Sequence, residues 1–203
     1  MTDLPFAHLN LRRNPFGELT REERTQLAEV EIQEALDHLT LPRSSVQIVG
    51  EKGYGKTTHL LVIAEHFPDS SYVHIPEGQR GVIPVGGDPL LIDEAQRLTL
   101  YQRWRVLRSG RRLILGTHED FASSLTRARR PVLTLAADRL TDAARVLRIL
   151  NARIQSVRRA PGPIPTMTEA TASRLFAEFG SDLRGIEHSL YHVFQQLKDI
   201  GDV

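Results

Sequence analysis

The most specific chemistry in this chain lies in Gly50-Glu51-Lys52-Gly53-Tyr54-Gly55-Lys56-Thr57, which fills every fixed position of the pattern G-x-x-x-x-G-K-[ST]. Glycines let the backbone wrap so that several N–H groups face one anion. A helix that follows adds the positive end of its dipole. Lys56 would reach the β- and γ-phosphate oxygens of a nucleoside triphosphate. Thr57 would ligate Mg²⁺, a hard cation suited to hydroxyl and phosphate oxygens. Gly50, Gly53, Tyr54, Gly55 and Thr58 complete the expected nucleotide-binding set. Further on, Leu90-Leu91-Ile92-Asp93-Glu94 delivers two adjacent carboxylates at the end of an apolar run. Open α/β sheets bind ligands at that end of their strands. Asp93 would hold the water shell of Mg²⁺, and Glu94 would orient or deprotonate the water attacking a γ-phosphate. Phosphoryl transfer needs little covalent help, so positioning and charge neutralisation carry the rate. Each motif alone has an ordinary reading, as a glycine-rich turn or an acidic strand end. Their pairing in this order points to a metal–triphosphate site.

Such a site needs a sheet to hold it. Val46–Val49 reads as a short apolar strand ahead of the glycine loop, and Thr57 to about His66 as the helix behind it. Ser71–Ile75, Pro89–Ile92, Leu113–Leu115 and Val132–Leu135 read as further strands. Helices are expected from Ala95 to Ser109 and from Glu119 to Ala128. Strands alternating with helices imply a parallel sheet of about five strands covered on both faces. Upstream, Thr20 and Glu23 form a capping-box pair that opens a helical pattern to about Leu39. Downstream the strand period stops. Thr141 to about Arg158 is an amphipathic helix, Ala160–Pro165 a stiff connector, and Thr168–Phe179 and Asp182–Ile200 two more helices. The division expected is an N-terminal segment and helix over 1–40, an α/β core over 41–138 and a helical lid over 139–203.

With 203 residues, 40% hydrophobic and 25% charged, the composition is that of a globular protein. No apolar run approaches the ~18 residues of a spanning helix. Met1-Thr2-Asp3-Leu4-Pro5 lacks the basic and apolar regions of a signal peptide. Cysteine is absent, which excludes disulfides and thiolate metal sites. A cytoplasmic protein with no membrane partner is expected. The net charge of +1 hides an asymmetry, because Arg97–Arg159 holds 15 arginines against four acids. That segment suits phosphates or an acidic partner, unless it only decorates solvated helix faces.

The two motifs make the chain resemble the AAA+ class of P-loop ATPases. Gly50–Thr57 resembles its Walker A motif and Leu90–Glu94 its Walker B motif. The resemblance implies that ATP binds with Mg²⁺ between an α/β core and a helical lid and is hydrolysed to ADP and phosphate. It implies a polar sensor after the fourth strand, filled here by Thr117 or His118. It implies an arginine finger donated to a neighbouring subunit, for which Arg127, Arg129 and Arg130 are candidates, Arg129 and Arg130 first. Gly180-Ser181-Asp182-Leu183-Arg184 resembles the lid motif, with Arg184 as a second sensor. Asn14-Pro15-Phe16 is similar to the segment that packs near the adenine, which makes Phe16 a binding residue.

The connection Pro76–Asp88 departs from that class. It is too short and too rich in glycine and proline for the usual helix, so threading of a polypeptide is not expected. The compact layout looks like the small ATPases of bacterial transposition and secretion systems, and the lid motif also resembles origin-recognition proteins. Action as an oligomer or with a partner ATPase follows from the resemblance, as do a protein partner and nucleic acid bound without sequence specificity. The main expectation is an ATPase in a DNA transaction. The alternative is an ATP-dependent assembly switch with little turnover and no DNA contact. A small P-loop kinase would need neither Glu94 nor a finger, and a GTPase would need a better guanine motif than Thr117-His118-Glu119-Asp120.

Two smaller signals complete the reading. His188 and His192 stand at i and i+4 without a third ligand, which suits a solvated face better than a metal. Tyr101 and Trp104 are expected to pack against the sheet in preference to stacking on bases.

Overall fold

A computed structural model describes residues 5–203; Met1–Leu4, which begin the leader reading and the 1–40 segment, lie outside the described residues. The chain divides into two compact units, Val30–Leu140, and Met1–Glu29 with Thr141–Val203. The described residues up to Glu29 group with the C-terminal helices.

The Val30–Leu140 unit is built on a five-stranded, all-parallel sheet in the order β2-β3-β4-β1-β5. Its strands are β1 (Ser45–Val49), β2 (Ser71–His74), β3 (Leu90–Asp93), β4 (Leu113–Thr117) and β5 (Val132–Ala136). Alternate residues serve opposite faces, as the two-residue strand period requires. Val46, Ile48, Leu91, Ile114 and Leu135 pack with Ala35 and Leu39 of α2 (Gln33–His38) and Leu60 and Ile63 of α3 (Lys56–Glu65). Leu90, Ile92, Leu113 and Leu115 pack with Val106 and Leu107 of α4 (Leu100–Arg108) and Leu125 of α5 (Ala122–Arg127). Burial on both faces explains why these strands read as unbroken apolar runs.

Four helices differ from the sequence reading, the last of them over Leu183–Gln196, which stops four residues before Ile200. The pattern from Thr20 to Leu39 forms two short helices, α1 (Arg21–Gln26) and α2, with the break at the passage from one unit to the other. The Thr20–Glu23 capping box forms at the start of α1. Val30 and Ile32, stiff at χ1, weaken helix propagation at that break. The span Ala95–Ser109 splits into a 3₁₀ turn, Ala95–Arg97, and α4, because Thr99 takes an extended conformation and caps α4 with Gln102 in a second capping box. The third, α5, starts at Ala122, three residues later than expected, where the Asp120 carboxylate accepts from the Ala122 N–H at 2.7 Å. Between β2 and β3 there is no helix. Gln102 donates to the Gly81 carbonyl at 2.7 Å, and Arg111 to the carbonyls of Pro84 and Gly86 at 3.0 and 2.8 Å, which fastens this loop beside α4.

The other unit packs α6 (Ala143–Ser156), α7 (Glu169–Phe179) and α8 (Leu183–Gln196) around one apolar core. Val146, Leu150 and Ile154 of α6 meet Leu175 of α7 and Ile186, Leu190 and Phe194 of α8. Phe6, Leu9, Leu11 and Phe16 of the N-terminal segment fill the same core. Arg153 is buried there, donates to the carbonyls of Pro15 and Gly17 and pairs with Glu187. That accounts for a charge within an otherwise apolar helix face.

Candidate functional site

The site grows from strand ends. Parallel pairing aligns Val49 of β1 with Thr117 of β4, and Gly116 of β4 with Asp93 of β3, so three loops leave the same edge of the sheet. After β1 the chain turns through Gly53 and Gly55, both in the left-handed region, and Gly55 caps α3 without a side-chain hydrogen bond. The first turn of α3 therefore keeps its N–H groups for an outside acceptor.

Lys56 folds back into that loop. Its side chain is buried, and Nζ donates to the Gly50 and Glu51 carbonyls at 2.8 Å each. The next residue crosses to the acidic strand end, where Thr57 Oγ1 donates to Asp93 Oδ2 at 2.7 Å. Gly116 makes this crossing possible. A methyl group there would lie 2.9 Å from Asp93 Oδ1 and 3.4 Å from Leu60, so only glycine leaves room between β1 and β3. Tyr72 and His74 of β2 also reach Asp93 Oδ2, at 3.2 Å each. Oδ1 of Asp93 is buried and has no hydrogen-bond partner. An ionised oxygen left so is costly unless something of opposite charge completes it.

Glu94 follows in the left-handed conformation, φ 64° and ψ 46°, which a non-glycine residue adopts at a cost. Its carboxylate accepts from Gln96 Nε2 at 2.8 Å and pairs with Arg97 at 3.1 Å. Arg97 is fixed in turn by donating to the Ile75 carbonyl at 2.8 Å. His118 joins the two motifs, with Nε2 3.5 Å from Lys56 Nζ and 3.5 Å from Glu94 Oε1. The sequence left Thr117 or His118 as the polar residue here. Thr117 is fully buried, and its hydroxyl bonds only the backbone of Glu119 at 3.0 Å in both directions, which leaves His118 facing the acids.

The donor set fits Mg²⁺ held together with a phosphate. Thr57 and Asp93 offer hard oxygens, and Asp93 Oδ1 lacks a partner. Among the described residues no cluster of three acidic or histidine side chains could hold a metal without such a ligand. Thr58 lies on α3 one residue past this pair, and Tyr54 packs at the edge of the core beneath the loop.

The arginines part company. Arg130 is buried, donating to Ser45 Oγ and to the carbonyls of Leu107, Ser109 and Arg111. Burial, with Arg43 next, pulls its pKa down to about 10, so it stays charged at neutral pH. It serves the fold and is not available to a second molecule, a correction to its rank among the finger candidates. Arg127 and Arg129 are exposed at the end of α5, Arg129 with φ 57°. Arg184 is exposed in the first turn of α8. Phe16 is buried against Phe194, ring centroids 5.1 Å apart, and so is a core residue of the helical unit. Tyr101 and Trp104 were expected against the sheet, but they are 65% and 54% exposed, because α4 turns Val106 and Leu107 inward instead.

Four neighbours of the acids, Tyr72, His74, Gln96 and Arg97, escaped the sequence reading. His74 stands opposite Asp93 in the β2–β3 register, a relation invisible before the strand order is known. Arg97, three residues after Glu94, had a local signal that the helical reading of Ala95–Ser109 concealed. Comparison with protein-family models and with curated proteins finds no match to this chain. No helix among the described residues is long and apolar enough to cross a membrane.

Proposed function

We propose that this chain binds and hydrolyses ATP as a compact P-loop ATPase of AAA+ type, acting as an oligomer or with a partner in a DNA transaction. The observation that carries the reading is the Thr57–Asp93 hydrogen bond across Gly116, with Lys56 folded into the glycine loop on one side and Glu94 on the other. A chance glycine turn has no reason to meet an acidic strand end across an intervening strand.

In this reading the N–H groups of the loop and of the first turn of α3 hold the phosphates, and Lys56 exchanges its carbonyl partners for phosphate oxygens. Mg²⁺, held by Thr57 and Asp93, neutralises phosphate charge. Glu94 orients the attacking water and takes its proton. His118, placed between Lys56 and Glu94, reports the phosphate state to the acid. Arg129 or Arg127 would act on a neighbouring subunit, and the helical unit carrying Arg184 would serve as a lid.

Steady-state ATP hydrolysis, with and without DNA, tests the reading. Glu94→Gln should retain ATP but lose turnover by about 100-fold or more, and DNA should stimulate the native protein. Lys56→Ala with undiminished ATP affinity would refute the site.

A second reading, an assembly switch with slow turnover, is favoured by one observation: the Glu94 carboxylate is already engaged by Arg97 and Gln96. ATP-dependent partner binding without DNA stimulation would support it.

A further inference from the structure

Five of the large exposed hydrophobic residues of the Val30–Leu140 unit lie on α4 (Leu100, Tyr101 and Trp104) or on the loop tied beside it (Val82 and Val85). The rings of Tyr101 and Trp104 stack, with centroids 6.4 Å apart and planes 21° apart. Arg105 lies over Tyr101, its Cζ 5.8 Å from the ring centroid, and Arg108 over Trp104 at 5.1 Å. Neither arginine takes part in the ion pairs found among the described residues. The sequence of α4 contains no acid.

This combination constrains what the face can bind. Uncompensated guanidiniums call for an anion. Two aligned exposed rings call for flat apolar groups at short spacing. A strand of unpaired nucleotides offers both together, with phosphates on one edge and π-faces on the other. A duplex offers phosphates but keeps its bases stacked on one another. We infer that the α4 face, with Tyr101, Trp104, Arg105 and Arg108, is a binding site for single-stranded nucleic acid. The inference rests on the nucleic-acid part of the function proposed above, and it adds the form of the nucleic acid and its place on the molecule.

Trp104 is the single tryptophan of the chain, so its fluorescence reads this face directly. The full chain would be titrated at low salt with a 20-nucleotide oligothymidylate, a 20-base-pair duplex and polyglutamate. Tryptophan emission would be recorded alongside anisotropy of labelled oligonucleotide. Quenching by the single strand, with little change from duplex or polyglutamate, is expected. Tyr101→Ala and Trp104→Ala should each weaken single-strand affinity about fivefold to a hundredfold. Arg105→Ala with Arg108→Ala should lower the slope of log affinity against log salt by about 1.4. Both aromatic positions are exposed, so circular dichroism should show these variants folded.

Three results would overturn the inference: single-strand binding that both aromatic variants leave intact, equal quenching by polyglutamate, and quenching that rises with protein concentration alone. The last two would give the face to an acidic protein or to a second copy. Lys56→Ala, assayed in parallel with labelled ATP, keeps the two proposals apart. It should lose ATP and retain the oligonucleotide.

Discussion

Arg97 holds the Glu94 carboxylate at 3.1 Å while its other guanidinium nitrogen donates to the Ile75 carbonyl, so the acid is tethered to the end of β2. Gln96 takes the same carboxylate oxygen at 2.8 Å. A carboxylate whose lone pairs are shared this way has fewer left for a water molecule.

Releasing that tether should therefore raise turnover. Arg97→Ala is expected to increase basal ATP hydrolysis about threefold to tenfold, the value of one charge-assisted hydrogen bond at a partly exposed site. The increase should appear in kcat, with ATP affinity unchanged. A fall in kcat would show that Arg97 keeps Glu94 in its working position.

Gly116→Ala tests the crossing from the glycine loop to the acid. The added methyl group would sit 2.9 Å from Asp93 Oδ1 in a fully buried strand. Overpacking of this kind costs about 1–3 kcal/mol, which urea denaturation would measure. Mg²⁺-dependent ATP affinity should fall more than Mg²⁺-independent affinity, because the displaced oxygen is the one that lacks a partner.

The two adjacent arginines after α5 should separate cleanly. Arg130→Met orphans the carbonyls of Leu107, Ser109 and Arg111 and should cost about 3 kcal/mol or more. Arg129→Ala removes an exposed side chain and should leave the melting temperature within a degree or two. If Arg129 acts across subunits, its removal lowers ATP turnover only at concentrations where the protein associates.

Asp120 should set part of the acid limit of stability. The Ala122 N–H, and then the Gln47 side chain, hold its pKa below the ordinary aspartate value. The folded state therefore binds its proton more weakly than the unfolded chain. Its contribution is present above the unfolded pKa and is lost as pH falls through the folded one. Asp120→Asn should lower stability at pH 7 and flatten its decline on acidification, so that the variant and the native protein converge below about pH 4. An unchanged acid limb would mean that other carboxylates govern it.

Much of this molecule is legible in the linear sequence because its signals are local. The order of strands and helices follows from apolar runs separated by glycine and proline. The loop at Gly50–Thr57 and the acids at Asp93 and Glu94 are contiguous motifs whose residue types fix their chemistry. The cap at Thr20 acts over three residues. Tertiary structure decided what depends on neighbours distant in sequence. It put Gly116 between two motifs some forty residues apart, set His118 in place of Thr117 against Lys56 and Glu94, and supplied Tyr72 and His74 to Asp93. It also buried Arg130 and exposed Trp104, because which side of a short helix end or turn meets the core depends on strand order and register. Periodicity states that a residue has a face, but only the packed sheet determines what that face meets.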